Sequence, residues 1–160
     1  MDIYSVQENA IVNWKNEAPF LSNMFEMAEA IRAPFPKGDI EFYSSEAFYQ
    51  ALKFPDYDLK KKIANMNGYE AKKFAKQNQN LIQEDWEERK FNAMEIVINF
   101  KFERNTQPEL CEMLLATGDR QIVELNWWND RYWGVSSHDG RGLNKLGELL
   151  MARRSWLRNQ

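Results

Sequence analysis

Between residues 44 and 118 the chain is cut into helix-length segments by residues that start or stop helices, and this punctuation constrains the fold more than any other feature. Ser44 or Ser45 can cap a helix that runs to about residue 53, with Pro55 stopping it. A serine oxygen accepts from the first free N–H groups of a helix, and proline cannot continue the ladder. A second helix is expected over 57–66, ended by Asn67-Gly68, and a third over 69–77. The longest is expected from about 84 to 103, with acids in its first turn where the helix dipole favours them. Pro108 opens another helix through 115, which Gly118 terminates, and a last one covers roughly 143–154. Before the helices, residues 28–33 and 40–43 read as strands paired across a Pro/Gly loop. Residues 121–125 and 131–135 read as short strands around a turn. The sum is an α+β fold that is predominantly α-helical, with a few short strands.

No repeat, low-complexity tract or Pro/Gly/Ser linker interrupts the 160 residues, so a single domain over residues 1–160 is expected. Apolar residues are 44% and aromatics 14%, which argues against disorder. A net charge of −3 gives duplex nucleic acid no bulk attraction to this chain. Charge is nevertheless segregated: seven Lys lie between Lys53 and Lys76 against Asp56, Asp58 and Glu70, a local balance of +4. Such a face is either solvated or able to receive phosphate groups. With one Cys and one His, a metal centre would have to rely almost wholly on carboxylates, so no metal is expected. The first residues lack the basic-then-apolar layout of a signal peptide, and nothing approaches the ~20 apolar residues that cross a bilayer. A cytoplasmic protein without a membrane partner is the expectation.

Two segments set a carboxylate among aromatic rings: Ser45-Glu46-Ala47-Phe48-Tyr49-Gln50-Ala51-Leu52-Lys53-Phe54 and Asn129-Asp130-Arg131-Tyr132-Trp133-Gly134. They are either core patches with an acid at the rim or parts of one site. On a helix, Phe48, Ala51 and Leu52 gather on one side and Glu46, Tyr49, Gln50 and Lys53 on the other, an acid, an amide and an amine able to hold a polar ligand. In the long helix Lys90 and Lys101 project into the stripe formed by Trp86, Met94, Val97, Ile98 and Phe102. Either the amines snorkel outward on their stems, or they meet a carboxylate or phosphate in a cleft. Around Asp130 the aromatics either pack as a hairpin or offer Trp133 as a platform for a flat base. Gly140-Arg141-Gly142 before a helix start is a weak anion signal. His138 reads as a surface loop residue and Cys111 as core.

Taken in order, these pieces resemble the NADAR, or YbiA-like, family of N-glycosidases. The resemblance runs through Phe20-Leu21-Ser22-Asn23, Ser45-Glu46 with Phe48-Tyr49-Gln50-Ala51 and Lys53-Phe54, then Asp85-Trp86, Lys90, Met94 and Lys101-Phe102. It continues through Leu114 to Gly118, Asp130 with Trp133-Gly134, Gly142 with Asn144, and Leu146 to Met151 with Arg153. It implies hydrolysis of a ribosyl C–N bond, in an early pyrimidine intermediate of riboflavin biosynthesis or in ADP-ribose attached to guanine, with no metal or redox cofactor. On that resemblance Glu46 is the chief carboxylate, Asp130 a second polar group, and Trp133 and Trp86 stacking walls. Asn23, Gln50, Gly134 and Asn144 would contact ribose or base, and Lys53, Lys90 and Lys101 phosphate or the acids. The partner would be a small ribosyl phosphate or ADP-ribosyl compound, with nucleic acid only as an ADP-ribosylated substrate. A nucleotide-binding module altered in catalysis is the alternative. The chain departs from the family pattern at Ala47, where His is frequent, at Ala75-Lys76 for Gly-Arg, and at Glu84 where Arg-Pro often precedes Asp-Trp. Arg grips phosphate with a planar fork, whereas Lys offers a point charge.

Overall fold

The computed structural model describes all 160 residues, and its elements follow the helix signals of the sequence closely. In chain order they are α1 (Trp14–Glu17), β1 (Glu26–Ala33), β2 (Ile40–Ser44), α2 (Ser45–Leu52), α3 (Tyr57–Ala64), α4 (Gly68–Gln77), α5 (Trp86–Lys101), α6 (Pro108–Ala116), β3 (Leu125–Asn126), β4 (Val135–Ser136) and α7 (Lys145–Arg158). Short 3-10 turns at Pro19–Leu21 and Gln79–Leu81, like α1, carry no strong sequence signal. The fold is α+β and mainly helical, as expected. Two compact units make up the chain: Asn23–Gln107, and Met1–Ser22 with Pro108–Gln160. No helix is long and apolar enough to cross a membrane.

In the Asn23–Gln107 unit, β1 and β2 pair antiparallel, with Ala33 opposite Ile40 and Ile31 opposite Phe42. Alternation turns Ile31, Ala33, Ile40 and Phe42 inward and leaves Arg32 and Glu41 outside, joined at 2.9 Å. The strand runs straight into α2, where the Ser44 Oγ accepts from the Ala47 N–H at 3.1 Å. Phe48 stacks on Phe42 at 4.8 Å between centroids, which fixes the apolar side of α2. Helix α3 is capped by Asp56, which accepts from the Leu59 N–H at 2.8 Å. At α4 the expected boundary shifts: Asn67 does not close the preceding helix but opens the next. Its Oδ1 accepts from the Glu70 N–H at 2.9 Å while Glu70 accepts from the Asn67 N–H at 3.1 Å, a reciprocal capping box. Gly68 is therefore the first residue of α4.

In the other unit, α6 and α7 bury Leu110, Cys111, Leu114, Leu150 and Leu157, so Cys111 is core as expected. Gly118 follows α6 with φ 64°, the left-handed conformation that closes a helix. Arg154 ties the helices together by donating to Thr117 Oγ1 at 2.9 Å and to the Arg120 carbonyl at 2.8 Å. The hairpin expected over 121–135 is a correction. β3 and β4 are two residues each and pair in parallel, Leu125 with Val135 and Asn126 with Ser136. Parallel strands cannot be joined by a tight turn, so the segment between them forms a loop that turns back on itself.

Candidate functional site

The polar side of α2 is as dry as its apolar side. Every residue from Ser45 to Ala51 is buried, with Glu46 8% exposed and Gln50 3%. One helical turn separates Glu46 from Gln50, and the Gln50 Nε2 donates to Glu46 Oε1 at 2.8 Å. That bond fixes the amide's direction and leaves the buried Gln50 Oε1 as an acceptor without a partner. Such atoms are rare in folded proteins, because each forfeits its hydration without compensation. Asn23 secures the other end. Its carbonyl accepts from the Glu46 N–H at 2.9 Å, its Oδ1 from Ser45 Oγ at 2.9 Å, and its Nδ2 lies 3.4 Å from Met94 Sδ. The expected contact of Asn23 with a ligand is thus joined by a clear role in holding α2.

Gly68 brings the first turn of α4 against this carboxylate. A Cβ there would lie 3.0 Å from Glu46 Cβ and 2.6 Å from Met24 Sδ, so any larger residue makes the Met24 side chain move and crowds Glu46. Sequence reasoning missed it, reading Asn67-Gly68 as a stop. The available signal was Glu70, which completes the capping box.

A wall of rings and amines adjoins Glu46. Tyr49 and Trp86, both buried, meet at 5.3 Å between centroids. Lys53 Nζ lies 5.4 Å from the Tyr49 ring centre and 5.9 Å from that of Trp86. Burial pushes the Lys53 pKa down; Glu46 opposes this by its charge, and the cations Lys72 and Lys90 add to it. Lys90 and Lys101, alike in the sequence, part company here. Lys90 bonds to Glu87 Oε2 at 2.6 Å, whose own side chain is exposed. Lys101 does not snorkel at all: it is fully buried, 5.4 Å from the Phe102 ring centre and 5.9 Å from that of Phe25. Burial alone brings its pKa down to about 7.

The Asn129–Gly134 segment belongs to the other unit and is built differently. Asn129 takes a left-handed φ of 68°, and Asp130 Oδ1 accepts from the Tyr132 N–H at 3.0 Å and the Trp133 N–H at 2.9 Å. Asp130 is thereby the residue that shapes the turn carrying Trp133, whose ring meets Tyr132 edge-on at 4.7 Å. Asn126, buried and unforeseen, holds Asp130 in turn: its Oδ1 accepts from the Asp130 N–H at 2.9 Å and its Nδ2 donates to the Asp130 carbonyl at 2.8 Å.

Two further residues expected at the site are engaged within this unit. Asn144 is fully buried, and its amide is engaged within the chain: Nδ2 donates to the Ile122 carbonyl at 2.9 Å and to Tyr4 Oη at 3.1 Å, while Oδ1 accepts from the Glu124 N–H at 2.9 Å. It braces three segments of this unit. Gly134 is likewise taken up by packing, since a Cβ would collide with Glu124 and Asn126. The N–H groups at the start of α7 are not open to an anion either. Lys145 N–H donates to the Tyr132 carbonyl at 3.1 Å and Leu146 N–H to that of Trp133 at 3.0 Å. Gly142 lets its backbone cross Gly134. His138 is exposed, with Nε2 2.8 Å from the Trp127 carbonyl.

With the geometry in hand, the relationship of the chain can be read: residues 10–158 match the NADAR domain. The chain belongs to the NADAR family. Among related proteins, the N-glycosidase YbiA of Escherichia coli is 35% identical over 71% of this chain and 69% of its own length. A riboflavin biosynthesis protein of Vibrio vulnificus is 36% identical over 71% of this chain. The matched segment spans only 30% of that Vibrio protein, and 22% of a chloroplastic riboflavin biosynthesis protein of maize. The NMR structure of E. coli YbiA matches at a TM-score of 0.74 and 26% identity, covering 96% of this chain and 88% of that one.

In this NADAR chain, a depression of about 690 Å³ opens beside β2 and α3, lined by Glu26, Asp39, Glu41, Tyr43, Lys61 and Asn67 among others. None of the expected site residues lines it. No three His, Cys, Asp or Glu side chains are grouped to hold a metal ion.

Proposed function

We propose that this chain is an N-glycosidase that hydrolyses the ribosyl C–N bond of a phosphorylated ribosyl-base compound, a riboflavin-pathway pyrimidine intermediate or ADP-ribosylated guanine. Family membership supports the reaction class, together with relatives named as N-glycosidases. The observation that carries the reading is the buried Glu46–Gln50 pair, an oriented carboxylate beside an acceptor that still lacks a donor. The C1′–N bond breaks with its electron pair on the base nitrogen, and positive charge develops over C1′ and the ring oxygen. A carboxylate in dry surroundings stabilises that charge far more than one in water. Water then adds its oxygen to C1′, and its proton ends on the released base. Gln50 Oε1 suits a sugar hydroxyl or base N–H, Trp86 and Tyr49 wall the heterocycle, and Lys53 faces phosphate. In the other unit, Asp130 acts by holding the backbone turn that carries Trp133.

Incubating the protein with a panel of ribosyl-base phosphates, ADP-ribosylated guanine included, and chromatographing for free base tests the reading. Release by the wild type and none by Glu46→Gln is the expected outcome, and undiminished release by E46Q removes Glu46 from the chemistry. Ala47 favours the second reading, a binding module altered in catalysis, because it is fully buried at the position where the family resemblance implies a His. Calorimetric binding of ADP-ribose without any released base would select it.

A further inference from the structure

We propose that the outer face of α4, presenting Tyr69, Lys72, Lys73 and Lys76, is a docking surface for single-stranded nucleic acid. These four positions fall at i, i+3, i+4 and i+7, which places them on one side of the helix. All four are exposed, Tyr69 by 71%, while Gly68, Ala71 and Ala75 on the opposite side are buried. The neighbouring helix adds Lys61 and Lys62, both exposed and lying 5.7 and 5.2 Å from the ring centres of Tyr57 and Phe74. None of these lysines forms a salt bridge. Two of the three local acids are committed elsewhere, Asp56 capping α3 and Glu70 folded back into the α4 capping box. The region therefore keeps its positive balance of seven Lys against three acids, without a paired lysine on this face, in a chain whose net charge is −3.

A row of like charges repels itself and is relieved by a polyanion. The ring in the row decides which polyanion. An exposed tyrosine among lysines matches a strand whose phosphates meet amines and whose unstacked base meets a ring face. A membrane-lying helix needs an apolar side free to enter the lipid, and the apolar side of α4 is already buried in its own unit. Lys72 also acts by its charge on Lys53 of the candidate site. The proposal stands apart from the glycosidase reading, because a surface can bind a strand whether or not Glu46 cuts anything.

The test is fluorescence anisotropy of an end-labelled single-stranded DNA oligonucleotide at several salt concentrations, with vesicles containing acidic phospholipid measured in parallel. For the wild type, log affinity should fall linearly with log salt, by about 0.7 per phosphate neutralised. The triple variant K72Q/K73Q/K76Q should reduce that slope by about 2 and weaken binding at low salt at least about tenfold. Y69A should weaken binding about tenfold with the slope unchanged, because stacking is not a salt effect. Glutamine at exposed helical positions keeps the helix, and unaltered melting confirms this; K61Q/K62Q provides a second, independent charge variant. No oligonucleotide binding by the wild type, or binding unchanged in both charge variants, overturns the proposal. Lysine-dependent binding to the vesicles alone overturns it in favour of a membrane surface. Base release persisting in a variant that no longer holds the strand shows that the two readings are separate.

Discussion

Glu46 stands on a helix and Asp130 in a loop, and the two supports leave these carboxylates with different freedoms. In α2 the Glu46 and Ala47 N–H groups are met by the Asn23 carbonyl and Ser44 Oγ, so the Glu46 side chain is left to engage another side chain, the Gln50 amide. The loop around Asp130 has no ladder, and Oδ1 is drawn into supplying acceptors for the Tyr132 and Trp133 N–H groups. Asn144 repeats the lesson, its amide shared among Ile122, Glu124 and Tyr4. Polar side chains on regular elements remain available for chemistry, whereas those on irregular backbone are recruited to hold it. The same residue types beside tryptophan therefore carry different weight as catalytic candidates.

The strongest challenge to this contrast pairs E46Q with D130N. Glu46→Gln should lower base release by at least about 10²-fold with little change in melting, since it deletes charge that acts on the transition state. Asp130→Asn keeps an acceptor on the same two N–H groups, so turnover and stability should both stay close to wild type. D130A lacks that acceptor and should lose roughly 1–3 kcal/mol of stability together with activity. A D130N defect as severe as that of E46Q would break the comparison and place Asp130 in direct contact with substrate.

Gly68→Ala asks how tightly the helix-borne carboxylate is set. The added methyl meets Met24 Sδ and Glu46 Cβ, so Met24 must swing aside and Glu46 must give by a few tenths of an ångström. Overpacking of this kind costs typically 1–3 kcal/mol, and displacing a catalytic group by about 1 Å can cost about 10² in rate. The expected result is a fall in kcat with KM much less affected. Loss of stability with kcat intact would make Gly68 a packing residue only.

Lys101 sharpens the comparison through pH. Unfolded, its amine holds a proton up to about 10.4; folded, burial lets it go near about 7. Between those values the unfolded state binds more protons, so this group makes stability rise with pH, by up to about 1.4 kcal/mol per unit. Below about 7 both states are protonated and the burial penalty is complete. Denaturant melts from neutral to alkaline pH should show that slope in the wild type and not in Lys101→Met. A slope surviving in K101M would assign it to another group.

Helix starts were legible because their causes are local: Ser44 and Pro108 each act within one turn of where they stand. The β1–β2 hairpin was legible for the same reason, as two strand segments on either side of a loop punctuated by Pro and Gly. The parallel pairing of β3 with β4 was not, since Leu125 finds Val135 across a loop whose path depends on Asn126. Periodicity could not separate Lys90 from Lys101 either. Eleven residues bring them to almost the same side of α5, and what distinguishes them is position along the axis, one within reach of exposed Glu87 and the other sealed among rings. At the candidate site the sequence marked Glu46, Gln50, Lys53 and Trp86, which α2 and α5 bring together. It read Gly68 only as part of a helix stop, whereas the importance of that residue is the absence of a side chain against Glu46.

The smallest effect is expected at Tyr4, at the far end of the loop network. Its hydroxyl donates to Glu148 Oε1 at 2.6 Å and accepts from Asn144 Nδ2, so Tyr4→Phe deletes one exposed bond and leaves one amide hydrogen short of its partner. A loss of about 1 kcal/mol is expected, the usual net value of such a bond. Burial first, and then the Glu148 bond, raise the Tyr4 pKa above that of a free tyrosine. The contribution is therefore complete at neutral pH and is lost as pH climbs past the phenol's range. Y4F should trail the wild type by a constant margin up to about pH 10 and converge with it above. If Asn144 truly braces this unit, Y4F will also leave the Glu46-dependent reaction unchanged while lowering the melting temperature slightly. A change in turnover without a change in melting would instead return Asn144 to the list of groups that touch substrate.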